Sequence, residues 1–313
     1  MLKPTQLILG LAIFVPTLFQ TSAQGQAAPQ IPITTIVTVL GPKFTDPPPI
    51  AKEDVTVFSG KTKLDVVDWV PAQGENGAPQ LAILVDNSAN LFRTGVELLN
   101  ELAGFVTSQS KGTQVGVFYA FGGTVQVASP FSTNHEAAAM ALRMPDGSRA
   151  ANSPTVFNSL TDLVNHHWES AGTGREVLLI SSGADGMNRG PSSPYVQGTI
   201  EDIQRAGVVV YAIYFNGGVF DQSMSGEIAQ GNLRELTQES GGYNLFDGVS
   251  MPMSYSSYLR QLQTALRHQY RLTFDIAPIG KAKGELREIK IRTEQHHVDL
   301  KYPKQVFVPG TAK

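Results

Sequence analysis

From Gln80 to Arg267 the sequence alternates short apolar runs with segments of helical spacing, and this rhythm limits the possible folds more than any other feature. Leu81–Val85, Val115–Phe121, Glu176–Ser181 and Val208–Phe215 read as strands buried on both faces, as in a parallel sheet. Phe92, Val96, Leu99, Leu102 and Val106 recur at helical spacing behind the first run, and Val156, Leu160, Leu163 and Val164 mark a helix beginning near Thr155. His135–Arg143, Val196–Ala206, Gly226–Ser240 and Tyr255–Arg267 complete the expected helices, with Gly207 as a stop. Thr124–Ala128 is expected to form a third strand, joined to the second through Gly122-Gly123, and Tyr243–Phe246 a short edge strand. Strand and helix in alternation predict an α/β fold, a mainly parallel sheet flanked by helices.

The flanks follow a different period. Ile36–Val39 is strand-like, and the Pro-Pro-Pro run at 47–49 excludes a central strand from Gly41 to Ile50. Asp54–Phe58 alternates with period two, turns at Ser59-Gly60-Lys61 and is expected to pair with Leu64–Val70 as a hairpin. After His268 the two-residue period returns through Tyr270, Leu272, Phe274 and Ile276, then around Leu286, Ile289 and Ile291, and again in Val298–Val308. These segments lack interleaved helices, so they are expected to join the N-terminal strands in a small β-sandwich. The expected division is a signal at 1–23, a flexible piece at 24–32, N-terminal strands at 33–76, the α/β domain at 77–267 and C-terminal strands at 268–313.

Lys3 followed by the apolar Leu7–Phe19 and the small residues Thr21-Ser22-Ala23 reads as an export signal, too short for a comfortable membrane span. Retention of this segment as an anchor is the other reading. No later segment is long and apolar enough to span a bilayer, so a secreted or periplasmic location is expected. The formal net charge of −3 gives no electrostatic reason to expect nucleic acid or anionic membrane as a partner. The absence of cysteine excludes disulfides, thiolate metal sites and Cys nucleophiles.

The first run of the α/β region continues into Asp86-Asn87-Ser88-Ala89-Asn90. Ligands in open α/β sheets bind past the carboxyl ends of the strands. Oxygens at Asp86, Ser88 and Asn90 are placed there to surround a hard cation such as Mg²⁺. This segment resembles the Asp-x-Ser-x-Ser signature of von Willebrand factor A (VWA) domains, with Asn90 where the last Ser is expected. Ser153-Pro-Thr-Val-Phe-Asn-Ser-Leu160 is similar to the family's second loop and gives Thr155. Ile180-Ser181-Ser182-Gly183 stands where the family has Ile-Ser-Asp-Gly, so Ser182 occupies the position of a carboxylate.

Leu236–Tyr243, Tyr258–Leu262 with Gln269–Phe274, Glu285–Arg292 and Asp54–Lys61 further resemble a bacterial exported subfamily of VWA-related proteins. The resemblance implies a Rossmann-like α/β domain and a metal-ion-dependent adhesion site. Its ligands would be Asp86, Ser88, Asn90, Thr155, Ser182 and Asp185 holding Mg²⁺ or Mn²⁺, completed by an acidic side chain of a protein partner. Two departures, Asn90 and Ser182, make the site degenerate. Asp185 lies three residues beyond Ser182 and offers compensation, while Asp185-Gly186 also reads as a plain turn. Without metal, the same residues would form a polar cluster holding three loops together.

Other motifs carry less. Adjacent His166 and His167 do not share a helix face, so a solvated His beside a partly buried one is expected. His296 and His297 are expected on opposite faces of a strand. Ser181-Ser182-Gly183 lacks the Gly-x-Ser-x-Gly elbow, and no phosphate loop or dinucleotide fingerprint follows any strand. The sequence therefore points to a non-catalytic protein-binding module. A structural envelope protein with a vestigial site is the alternative, and a hydrolase on the same frame is a weaker one.

Overall fold

The computed structural model describes residues 30–72, 79–87, 95–146, 156–168, 174–184, 193–215, 224–246, 252, 254–280 and 283–310. The export signal and most of the Gly/Pro linker at 73–79 lie outside the described residues, as do Ser88, Asn90, Thr155 and Asp185. Among the described residues no helix is long and apolar enough to cross a membrane.

The chain opens with β1 (Ile31–Leu40), β2 (Val55–Ser59), β3 (Thr62–Leu64) and β4 (Val66–Pro71). β1 starts inside the segment expected to be flexible. Its length reflects its partner: the register with the later strand β11 (Gln269–Ile276) runs from Ile31↔Ile276 to Thr38↔Gln269. Pro32 is tolerated because the second neighbour of β1 reaches only Thr38–Leu40, which leaves Pro32 on a free edge. The expected hairpin is corrected in its second arm. β2 pairs with β3 across Gly60, but the run breaks at Asp65, whose carbonyl accepts the Asp275 amide, and β4 pairs with β11 instead. A strand that changes sheets in this way forms a corner of a sandwich.

The α/β unit follows in the expected order. It comprises β5 (Gln80–Asp86), α1 (Gly95–Thr107), β6 (Gln114–Phe121), β7 (Thr124–Ser132), α2 (His135–Met140), α3 (Val156–His166), β8 (Arg175–Ser181), α4 (Pro194–Ala206), β9 (Val208–Tyr214), α5 (Met224–Ser240), β10 (Asn244–Phe246) and α6 (Ser256–Arg267). The sheet order is β10-β9-β8-β5-β6-β7, parallel except for β7. β6 turns into β7 through Gly122 and Gly123, at φ 62° and 82°, the left-handed pair that a two-residue hairpin needs.

All of β5 is buried, and its period of two splits it between two cores. Leu81, Ile83 and Val85 pack with Leu98 and Leu102 of α1 and Leu259 and Leu262 of α6. Ala82 and Leu84 pack with Phe157 and Leu160 of α3, Ile203 of α4 and Leu233 of α5. Gly207, at φ 66°, closes α4 by donating to the carbonyls of Gln204 and Ile203. The fold is a Rossmann-like, doubly wound α/β domain, as the alternation predicts.

After α6 come β11, β12 (Glu285–Glu288), β13 (Lys290–Thr293), β14 (Asp299–Lys301) and β15 (Gln305–Val308). They interleave with the N-terminal strands in sheets ordered β14-β1-β11-β4, β13-β2-β3 and β12-β15. Val37, Val39, Val57, Trp69, Leu272, Phe274, Ile291 and Val308 share the sandwich core. His296 and His297 sit in the turn between β13 and β14, with His297 at φ 61°, so the expectation of a strand there is corrected.

β1 and β11 belong to both units. Val37 and Val39 face the sandwich core, whereas Ile36 joins the core of the α/β unit. On that same side Thr38 Oγ1 lies 3.3 Å from Tyr211 Oη, and Gln269 Nε2 donates to Tyr211 Oη at 3.1 Å. The fully buried Glu176 of β8 lies in this seam, with Oε1 unpartnered among the described residues. Burial pushes its carboxyl up to about 8, against a smaller opposing effect of the hydrogen bond from Gln269. The folded state thus holds a proton that the unfolded chain releases near pH 4.5. This contribution is complete below pH 4.5 and is lost as pH rises to about 8. Urea unfolding at pH 5 and pH 8 is expected to show Glu176→Gln flattening the decline and gaining on the order of a few kcal/mol over wild type at the higher pH.

Candidate functional site at the sheet crest

β5 and β8 are neighbours in register from Gln80↔Arg175 to Val85↔Ile180, so Asp86 and Ser181 end side by side at the crest. Both are buried. Ser181 Oγ donates to Asp86 Oδ2 at 2.9 Å and accepts the Gly183 amide at 3.0 Å. One hydroxyl therefore links the acidic end of β5 to the loop leaving β8.

Gly183 holds that loop against α5. It has φ 66°, and a Cβ built on it would lie 2.3 Å from the Ala229 carbonyl oxygen and 2.7 Å from Leu233 Cγ. Its carbonyl accepts Asn232 Nδ2 at 3.3 Å. Ser182, half-buried between these anchors, accepts the Ala184 amide on its Oγ at 3.4 Å.

A second network secures the other side. The Asn87 amide donates to the Ala120 carbonyl at 3.1 Å. Asn87 Oδ1 accepts Arg143 Nη1 at 3.2 Å, and Asn87 Nδ2 donates to Asp146 Oδ1 at 3.0 Å. The Arg143 guanidinium lies 4.0 Å from the centre of the Tyr119 ring, a cation–π contact. Tyr119 Oη donates to the Arg143 carbonyl at 2.8 Å and accepts its amide at 2.6 Å. Burial pushes the Tyr119 hydroxyl upward, partly offset by Arg143. The segment after α2 is thereby tied to the residue that follows Asp86.

Of the residues expected from the sequence, Asp86 and the Ser182 loop are brought together, and the direct contact is through Ser181. Ser88, Asn90, Thr155 and Asp185 lie outside the described residues, although α3 begins at Val156, immediately after Thr155. Sequence reasoning missed Ser181 as the bridge, and Asn87, Arg143 and Asp146 altogether. Asn87 stood inside the motif at a position the signature leaves free, and no periodicity connects it with residues 143 and 146.

Asp86 brings one carboxylate, whose Oδ2 already accepts the Ser181 hydroxyl. Ser182 presents a neutral oxygen where the resemblance expects a second carboxylate. Among the described residues no three His, Asp or Glu side chains converge to hold a metal ion.

The adjacent histidines behave partly as expected. His166 is 69% exposed and His167 27%, yet both reach Asp162, at 2.9 and 3.5 Å. Asp162 Oδ2 also accepts the Val125 amide at 2.9 Å and so caps a donor on the edge strand β7.

The sheet order, parallel except for one antiparallel edge strand, with an acidic residue at the end of β5, is that of a doubly wound α/β domain. No family model matches the chain, and no curated protein matches it. Solved structures similar to it include an aerotolerance-related membrane protein from Bacteroides fragilis, at 12% identity, 60% coverage of this chain, 98% of that one and a TM-score of 0.45. A von Willebrand factor type A protein from Catenulispora acidiphila is 8% identical, covering 93% of this chain and 76% of that one, with a TM-score of 0.42. The pilus adhesin SpaC from Lactobacillus rhamnosus GG is 9% identical, covering 82% of this chain and 47% of that one, with a TM-score of 0.44.

Gly183→Ala tests the crest directly. A left-handed backbone and a close contact with the Ala229 carbonyl both oppose the added methyl. The expected loss is roughly 2–4 kcal/mol in urea unfolding, with Ala184→Gly as a near-neutral control.

Proposed function

We propose that the chain is an exported, non-catalytic module that binds a protein partner at the crest, with low affinity for divalent metal. The observation that carries this reading is the Ser181–Asp86 hydrogen bond at the carboxyl ends of adjacent central strands. It orders a polar lip where doubly wound sheets bind ligands, and it uses the hydroxyl for structure rather than nucleophilic attack. Ser181 is buried, donates to a carboxylate and accepts the Gly183 amide, so its oxygen is committed. No histidine is bonded to it among the described hydrogen bonds, which weighs against the hydrolase reading. Export rests on the N-terminal sequence, and secretion or a periplasmic location on the same ground.

Low metal affinity follows from charge. At an effective dielectric near 20, a carboxylate about 4 Å from a divalent ion contributes roughly 8 kcal/mol of Coulomb energy before desolvation, and a far smaller net amount. Ser182 forgoes that contribution, and Asp86 stands as the one carboxylate at the described matched positions. A partner's acidic side chain would then meet the crest through hydrogen bonds from Ser182 and its neighbours.

The alternative, an envelope protein with a vestigial site, is favoured by the commitment of Asp86 and Asn87 to internal bonds. Calorimetric titration with Mg²⁺ and Mn²⁺ is expected to give no heat from wild type below millimolar metal, and a gain of at least about tenfold in affinity for Ser182→Asp. Micromolar binding by wild type, unimproved in the variant, would overturn the low-affinity reading. Cross-linking to the partner in native cells separates the other two, since Ser182→Arg is expected to abolish capture only if the crest is the contact surface.

A further inference from the structure

The end of the sheet opposite the crest holds a second polar recess. α5 runs back from the crest, ends at Ser240 and turns through Gly241 and Gly242 into β10. A cavity of about 350 Å³ lies between this turn and the β14 segment of the sandwich. Arg234, Tyr243 and Asn244 line it from the α/β side, and Asp299, Lys301 and Lys304 from the other. Its walls are in close contact beside the opening: a Cβ on Gly241 would lie 2.5 Å from Pro303 N, and the Lys304 amide donates to the Glu239 carbonyl at 3.1 Å. The recess is thus preformed, as ligand sites usually are, and within their usual range of size.

Two features of its chemistry converge. Three cations meet one carboxylate, Asp299, which pairs with Lys301 at 2.8 Å, in a chain whose formal net charge is −3. Independently, Tyr243 Oη and Asn244 Nδ2 are buried without a hydrogen-bond partner among the described residues. Asn244 uses its other amide atom, Oδ1, to accept Thr237 Oγ1 at 3.3 Å. Buried polar groups nearly always find partners, so two orphans on adjacent residues that border one cavity, Tyr243 beside Tyr211 and Asn244 beside Thr237 of α5, call for an explanation. Asn244 Nδ2 can only donate, and burial holds the Tyr243 hydroxyl in its protonated, donating form. The nearby α5 carbonyls of Thr237 and Gln238 are satisfied by the Gly242 and Gly241 amides, so they do not take up these donors.

We propose that this recess is a binding site for a small multivalent oxyanion, a phosphate or a polycarboxylate. Lys301, Lys304 and Arg234 supply the charge, and Tyr243 and Asn244 direct hydrogen bonds to its oxygens. The ligand would bridge α5 and β10 to β14, and so clamp the sandwich onto the α/β domain.

Thermal unfolding of the full chain at constant ionic strength tests this, with inorganic phosphate, pyrophosphate, succinate and citrate against a chloride control. At least one anion is expected to raise Tm by several degrees at a concentration far above its Kd, and whether the phosphates or the carboxylates act names the class. Lys301→Gln with Lys304→Gln is expected to remove the shift. Tyr243→Phe is expected to weaken binding about tenfold, the loss of one charge-assisted hydrogen bond, while the anion-free protein unfolds no earlier than wild type. Absence of any shift beyond chloride, or a shift that persists in the double lysine variant, would overturn the proposal. Ser182→Asp at the crest serves as a folded control that leaves the anion response unchanged.

Discussion

β1 and β11 are shared between two hydrophobic cores, and the arrangement of the molecule depends on that sharing. Because successive strand residues face opposite ways, a single strand pair packs Val37, Val39, Leu272 and Phe274 into the sandwich while turning Ile36, Thr38 and Gln269 toward the α/β sheet. A linker joining two independent cores would leave the domains free to reorient. Here neither core is complete without β1, so the sandwich is fixed to one end of the sheet. The cost is a polar seam in which Glu176 is buried beside Tyr211, and stability becomes sensitive to pH through that carboxyl.

Much of this plan was legible in the sequence. The four apolar runs of the α/β region became buried strands because a strand covered on both faces leaves no room for alternation, and the helices behind them kept their apolar spacing. The places where reading failed have local physical causes. β1 begins at Ile31 because β11 supplies partners along its whole length, information that lies more than two hundred residues away. The break at Asp65 is a sandwich corner, and the alternation on either side of it gives no sign of the change of sheet. At the crest, Asp86 was visible because a buried run ends on a charge. Ser181 was not visible as its partner, because a Ser at a strand end has many uses. The Asn87–Arg143–Asp146 network depends on how far the chain after α2 folds back, which no period encodes.

At the crest, hydrogen bonds do the positional work. Ser181 holds Asp86 and Gly183 with a single hydroxyl, and Arg143 reaches Asn87 from above the Tyr119 ring. These contacts order both sides of the crest. The loop that carries Ser182 is secured by Gly183 against α5.

The two ends of the sheet thus differ in kind. At the crest, Asp86, Ser181, Asn87, Arg143 and Asp146 are paired with one another. At the seam end, Tyr243 and Asn244 have donors unpaired among the described residues, in a recess bordered by lysines and an arginine. A fold driven only by internal satisfaction would have paired these donors or replaced them with apolar groups, because an unpaired buried donor opposes folding and supplies nothing in return. Their position on the wall between the two units places any compensating ligand where it would tighten the docking that β1 and β11 begin. The helix α5 spans both ends, packing against Gly183 at the crest and ending at the turn that borders the recess.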